Sequence, residues 1–156
     1  LVKICETVAL DARALITNRI QQQGLGGQFY SENPLPTFFY EGRELNGGGR
    51  SILKRKDKKK EGLSYKEWRE ANGLQAEHVD LSFTNRMWQN LVIIGTFKDG
   101  DNYTTVIGGG DEETKKKLEW NTKRYGSFLK LNADEESYLK SLLDKELSKL
   151  LNKYLK

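Results

Sequence analysis

Between Arg50 and Lys60, seven of eleven residues are cationic: Arg50, Lys54, Arg55, Lys56, Lys58, Lys59 and Lys60, with only Ser51, Ile52, Leu53 and Asp57 interposed. Like charges at this density repel one another, and the run offers almost no apolar surface to bury, so it has no place in a core. Gly47, Gly48 and Gly49 precede it. The ordered parts of the fold must therefore be built on either side of this break, and residues 41–62 read as a long mobile loop or arm that orders on a partner. The run carries seven positive charges and one negative within a chain of net +4, so the remaining 145 residues sum to −2. The pattern is a near-neutral body with one cationic arm.

A chain of 156 residues fits one domain, residues 1–156, with a real core but without two large lobes and a cleft. It is 37% apolar and 31% charged, and no apolar run approaches the roughly 18 residues that a bilayer span needs, so no membrane partner is expected. A single cysteine, Cys5, makes no internal disulfide, which favours an intracellular origin over a disulfide-built secreted scaffold. One histidine and one cysteine also starve most transition-metal sites and nucleophilic triads, so no cofactor and no metal site is expected. The chain opens on Leu1 rather than methionine, which leaves its natural start open.

Hydrophobic spacing gives the elements. Val8, Ala12, Leu15, Ile16 and Ile20 recur at three and four residues and predict an amphipathic helix over 2–22, stopped by Gly24, Gly26 and Gly27. Thr37 to Tyr40 is a short β-prone run. Ser64 with Glu67 has the spacing of a capping box, and Leu63 with Trp68 that of a hydrophobic staple, opening a helix over 65–71 that leaves through Asn72-Gly73. Val79 to Phe83 reads as a short strand or extended entry, with Thr84 capping a helical turn over 85–90. The segments 91–97 and 103–107, rich in Val, Ile, Thr and aromatics, predict a hairpin joined through Gly100. Asp111 caps a polar helix to about Lys123, whose buried contacts are expected to be Leu118 and Trp120. Asn132 and Glu135 form a second capping arrangement, before a final helix of about twenty residues with a wide apolar stripe from Leu139 to Tyr154. The sum is α+β: an antiparallel sheet with a hairpin, flanked by long N- and C-terminal helices, with short helices between.

The search for chemistry is mostly negative, and the chain is not expected to be an enzyme. Neither glycine triplet supplies the Lys and hydroxyl of a phosphate-binding loop. His78 near Asp80 suggests acid–base work, but a lone histidine is more often a surface or second-layer residue. Asp111, Glu112 and Glu113 suit the positive end of a helix dipole better than a cation site. A metal-dependent nuclease built on Asp80 has no supporting spacing. The basic run is the feature with a definite consequence: six or seven mobile cations neutralise phosphates with counterion release, giving salt-sensitive, sequence-blind binding. With no aromatic inside the run, a backbone contact is favoured over base stacking, and a solvated loop that merely keeps the protein soluble or meets an acidic protein surface is an equal alternative. The aromatics Phe38, Phe39, Tyr40, Trp88 and Trp120 are candidates for a subunit interface, where Trp and Tyr concentrate.

Two stretches carry a family resemblance. Asp80-Leu81-Ser82-Phe83-Thr84-Asn85-Arg86-Met87, followed by the 91–107 hairpin, resembles the "L-x-x-T-G-x-M/L" step and "v-x-i-G" strand of bacteriophage tail-completion or virion-morphogenesis proteins. Asn85 stands where that family usually has glycine, and asparagine is the next-best left-handed residue. The stretch 124–131, then Asp134-Glu135-Glu136 and the leucine-striped helix, is similar to the family's "R-P-F-L-x-L-S-x-x-E" run, with Tyr-Gly-Ser in place of the Arg-Pro approach. The family's "Y-A-x-x-H-x-x-G" is unmatched, Asp111 to Asn121 occupying its place; the resemblance covers about residues 63–156. It implies an α+β structural subunit without catalytic activity, assembled in the bacterial host cytoplasm and located in the virion at the head-to-tail junction. Its partners would be identical subunits in a ring, commonly of six, the connector or portal side, the tail-tube proteins, and possible genomic DNA at the arm. The alternative is a free-standing nucleic-acid-binding domain that uses the basic arm on phosphates.

Overall fold

A computed structural model of the chain describes residues 1–36, 62–82 and 84–155. The fold is α+β, with a long helix at each end, a two-stranded antiparallel sheet and short helices between. In chain order the elements are α1 (Val2–Gln23), α2 (Tyr65–Ala71), α3 (Arg86–Gln89), β1 (Leu91–Asp99), β2 (Asn102–Gly109), α4 (Glu112–Tyr125) and α5 (Ala133–Tyr154). They form two compact units, one of residues Leu1–Gln21 with Thr84–Lys156 and the other of Gln22–Phe83.

In the first unit, Ala9, Ala12, Ile16 and Ile20 are buried along α1 at the expected spacing. Met87, Trp88, Leu91, Phe128 and Leu139 are buried with them, and Trp88 meets Phe128 edge-on with ring centroids 6.4 Å apart, a favourable aromatic geometry. Polar ties fasten α1 to its neighbours: Arg13 Nη1 donates to the Leu91 carbonyl at 2.8 Å, and Arg19 Nε to Glu135 Oε1 at 2.7 Å. Glu135 also closes the capping box of α5, its other oxygen accepting the Asn132 N–H at 2.8 Å. The hairpin is longer than expected at both ends. Its register pairs Asp99 with Asn102 and Leu91 with Gly109, broken by a bulge between Ile93 and Gly95. The turn falls on Gly100, at φ +57, and Asp101, the two-residue connection that matches strand twist. Gly108 and Gly109 are the last two residues of β2.

Asn85, at φ 58, is the left-handed residue that starts α3; Thr84 is not the cap, and no side-chain cap hydrogen bond is made there. Asparagine tolerates this conformation where most residues do not.

The second unit is organised around α2. Ser64 Oγ accepts the Glu67 N–H at 3.2 Å and the Glu67 carboxylate accepts the Ser64 N–H at 2.8 Å, the expected capping box. Leu63 and Trp68 are buried together, with Leu35, Tyr65 and Leu74 packed on them. Residues 31–36 run beside 62–66: the Leu35 N–H donates to the Leu63 carbonyl at 2.9 Å, and Pro34 bridges Ser64. A Cβ on Gly62 would lie 1.8 Å from the Leu35 carbonyl oxygen, so this approach requires glycine. The flanks of segment 37–61 are thus held side by side. The β-prone run Thr37–Tyr40 and all of the expected arm but Gly62 lie outside the described residues. Of the short strand or extended entry expected at 79–83, no strand forms among the described residues: Leu81 adopts φ 55, which no strand permits.

Candidate interaction surfaces

The polar residues that looked chemical are largely used inside the second unit. Arg69 projects inward from α2 and is 1% exposed. Its Nε donates to the Gln75 carbonyl at 2.6 Å, Nη1 to the Ser82 carbonyl at 2.5 Å, and Nη2 to Asp80 Oδ1 and Oδ2 at 3.1 and 3.3 Å. The Tyr30 hydroxyl donates to Asp80 Oδ1 at 2.6 Å, and the Ser82 N–H to the same oxygen at 2.9 Å. The guanidinium lies 4.2 Å from the Tyr30 ring centroid, a cation–π contact. Burial, and then the hydrogen bond to Asp80, drive the Tyr30 phenol far above its usual range, so it stays a donor. Asp80 is therefore the counter-ion of a buried arginine, and the network braces the left-handed Leu81 between Asp80 and Ser82. His78 packs beside Gly24, where a Cβ would come within 2.7 Å of its own Cβ. Among the described residues, no group of three His, Cys, Asp or Glu side chains could hold a metal ion.

The first unit presents the opposite pattern, most clearly on α4. Gly109 lets β2 meet the first turn of this helix, since a Cβ there would lie 2.6 Å from the Lys115 nitrogen. Asp111 Oδ1 accepts the Thr114 N–H at 2.7 Å, and Oδ2 accepts from Asn90 Nδ2 at 3.2 Å. Hydrogen bonds from Thr114 hold the Asp111 carboxyl below the usual carboxylate range. Thr114 is buried, Leu118 half-buried, and Asn121 Nδ2 donates to Met87 Sδ at 3.4 Å, which together fix the inner face. Helical periodicity then puts Lys116 opposite that face and carries the ridge through Trp120 to Arg124 at its flank, each four residues from the next. Trp120 is 73% exposed, so the expectation that it is a buried contact of this helix is corrected; Thr114 fills that role instead.

The acids on the outer face of α4 are already engaged. Glu113 pairs with Lys117 at 2.6 Å and with Arg86 at 3.0 Å, and Glu119 with Lys123 at 2.8 Å. The Lys117 hydrogen bond, then the Arg86 charge, holds Glu113 below the usual range, and Lys123 does the same for Glu119. Among the described residues, neither Lys116 nor Arg124 is paired with a carboxylate; Arg124 lies 5.3 Å from the Tyr125 ring centroid. Trp120 lines a shallow open depression with Glu113, Lys116, Lys117, Glu119, Asn121 and Lys123, the two acids being those already paired with cations.

A second surface lies on the hairpin. Val106 pairs with Gly95 and Thr104 with Phe97, so their side chains share one face, and the Ile94 side chain reaches across Gly108, within 3.1 Å of where a Cβ would stand. Ile94, Phe97 and Val106 are 52%, 58% and 40% exposed. On α5, Leu139 is buried and Leu142, Leu143, Leu147 and Leu150 half-buried, while Tyr138, Leu151 and Tyr154 are exposed.

Of the residues singled out by sequence, Arg50, Lys54, Arg55, Lys56, Lys58, Lys59 and Lys60, and Phe38, Phe39 and Tyr40, lie outside the described residues. Trp88 is buried within its own unit against Phe128, leaving little of it for an interface, whereas Trp120 stands free at the surface. Sequence reasoning missed Lys116 and Arg124, although their spacing about Trp120 was legible, and missed the exposed hairpin face, because alternation does not say which side of a two-stranded ribbon is covered. No described helix is long and apolar enough to cross a membrane. Comparison of the chain with protein-family models, curated proteins and solved structures finds no match.

Proposed function

We propose that the chain is a structural assembly subunit: a phage tail-completion or connector protein whose copies close into a ring at the head-to-tail junction, between the connector or portal side and the tail tube. The observation that supports this most is the apolar hairpin face of Ile94, Phe97 and Val106, outward on a two-stranded ribbon whose strand edges are unpaired among the described residues. Apolar faces and open edges of this kind mark protein–protein contacts. Contacts between unlike surfaces of identical subunits generate rings when the rotation closes. The resemblance over about residues 63–156 supports a position at the neck of the virion.

The test is immunogold electron microscopy of virions from cells that express the chain, using antibody raised against it. Label confined to the neck is the expected result. Particles free of the chain, or label spread over head or tail, would overturn the proposal.

A further inference from the structure

The outer face of α4 carries an arrangement that assembly does not require. Trp120 stands at its centre, 73% exposed, with exposed Lys116 and Arg124 at four residues to either side. On a helix that step is about 6 Å along the axis, so the three side chains form one row of cation, aromatic ring and cation. The neighbouring acids face other cations at ion-pair distance: Glu113 has Lys117 and Arg86, and Glu119 has Lys123. What remains for a partner is a flat π-surface between two positive charges that no carboxylate pairs among the described residues.

We propose that Lys116, Trp120 and Arg124 form a contact site for single-stranded nucleic acid, with one unpaired base stacked on the Trp120 indole and the phosphates on either side of it held by Lys116 and Arg124. Three points of chemistry select this partner. A stacking platform flanked by cations is the combination that binds single strands without regard to sequence, since every base has a π-face and every step a phosphate. An acidic protein segment would satisfy the charges and leave the indole in water. Duplex DNA would also satisfy the charges, but its bases are stacked on one another and closed to the ring. The site is independent of the assembly reading and does not use Arg50 to Lys60.

The protein contains its own reporter. Trp68 and Trp88 are buried, so fluorescence quenching by added nucleic acid reads Trp120. Full-length protein is titrated with (dT)12, (rU)12 and a 12-base-pair duplex while tryptophan emission and anisotropy of end-labelled oligonucleotide are followed. The expected result is saturable quenching by either single strand, coincident with the anisotropy change. Trp120→Ala is expected to lower single-strand affinity roughly 5- to 150-fold, the range of one base–aromatic stack. Lys116→Gln with Arg124→Gln is expected to reduce the magnitude of the log K against log salt slope by about 1.4, about 0.7 for each phosphate no longer neutralised. All three residues are exposed, so unchanged circular dichroism and melting are expected to accompany these effects. Single-strand binding without quenching, full-strength binding by Trp120→Ala, an equal preference for the duplex, or no binding would each overturn the site.

Discussion

Arg69 and Trp120 both project from helices, and each stands where composition alone would put the other. Arg69 is inside the second unit, with three of its donor nitrogens matched by Asp80 and by the Gln75 and Ser82 carbonyls. Trp120 is outside, on a helix whose inner face is completed by a threonine, a leucine and an asparagine. The difference separates maintenance of the fold from interaction with a partner. A buried charge is tolerated because its hydrogen bonds are satisfied within the chain. An exposed large aromatic, or the apolar hairpin face, gains nothing from the fold as it stands and becomes favourable only when a partner covers it.

Breaking the inside half of this contrast should have the largest effect. Arg69→Ala leaves the buried Asp80 carboxylate without its counter-ion and should cost about 3–5 kcal/mol, read as an early denaturant transition of the second unit. Replacing the pair together, with Arg69→Met and Asp80→Leu, should recover only part of that stability, because the orphaned charge is gone but the Tyr30 hydroxyl and the Ser82 N–H lose the acceptor that Asp80 supplied. Retention of wild-type stability by Arg69→Ala would place the network outside the interior.

The Arg19–Glu135 pair offers a smaller break in the first unit. Arg19→Ala should cost about 2–3 kcal/mol, since Glu135 is largely buried and would be deprived of its charged partner. Burial raises the Glu135 carboxyl, but the Arg19 hydrogen bond, the Asn132 N–H and the Arg19 charge outweigh it and hold it below the usual range. Its folded pKa is depressed, so its contribution is fully present above the unfolded value of about 4.3 and is lost as pH falls through the folded value. A denaturation series from pH 7 down to pH 3 should show that decline in the wild type and a flatter profile in Arg19→Ala. Next in size is Gly109→Ala, whose added methyl would press on the backbone of the first turn of α4; a melting measurement should show a destabilisation of about 1–3 kcal/mol.

Much of this architecture was legible because it is written locally. Ser64-x-x-Glu67, Asp111 before Thr114, and Asn132-x-x-Glu135 each satisfy orphan helix N–H groups within one turn, so spacing alone locates three helix starts. The hairpin was equally local. The Arg69 network was not, because Tyr30, Arg69 and Asp80 meet across 39 and 11 residues of chain and no periodicity announces such a meeting. Trp120 was misjudged for a different reason. An aromatic in a polar helix was assigned inward by residue type, although Thr114, Leu118 and Asn121 already define the inner side by their spacing. Leu81 shows the same override: its β-like neighbours predict a strand, and side-chain hydrogen bonds hold it in a left-handed turn instead.

The outside half of the contrast is tested by removing apolar surface without touching the core. Ile94→Ser with Phe97→Ser should change folding stability by no more than about 0.5 kcal/mol, because both side chains are exposed. Whether this face joins copies of the chain, as proposed, is read by multi-angle light scattering across a concentration series of wild type and double variant. Mass should rise with concentration in the wild type and stay at one chain in the variant, with matching melting curves at concentrations where the wild type is a single chain. A wild type that remains a monomer throughout, or a variant that associates as strongly, would contradict the proposal.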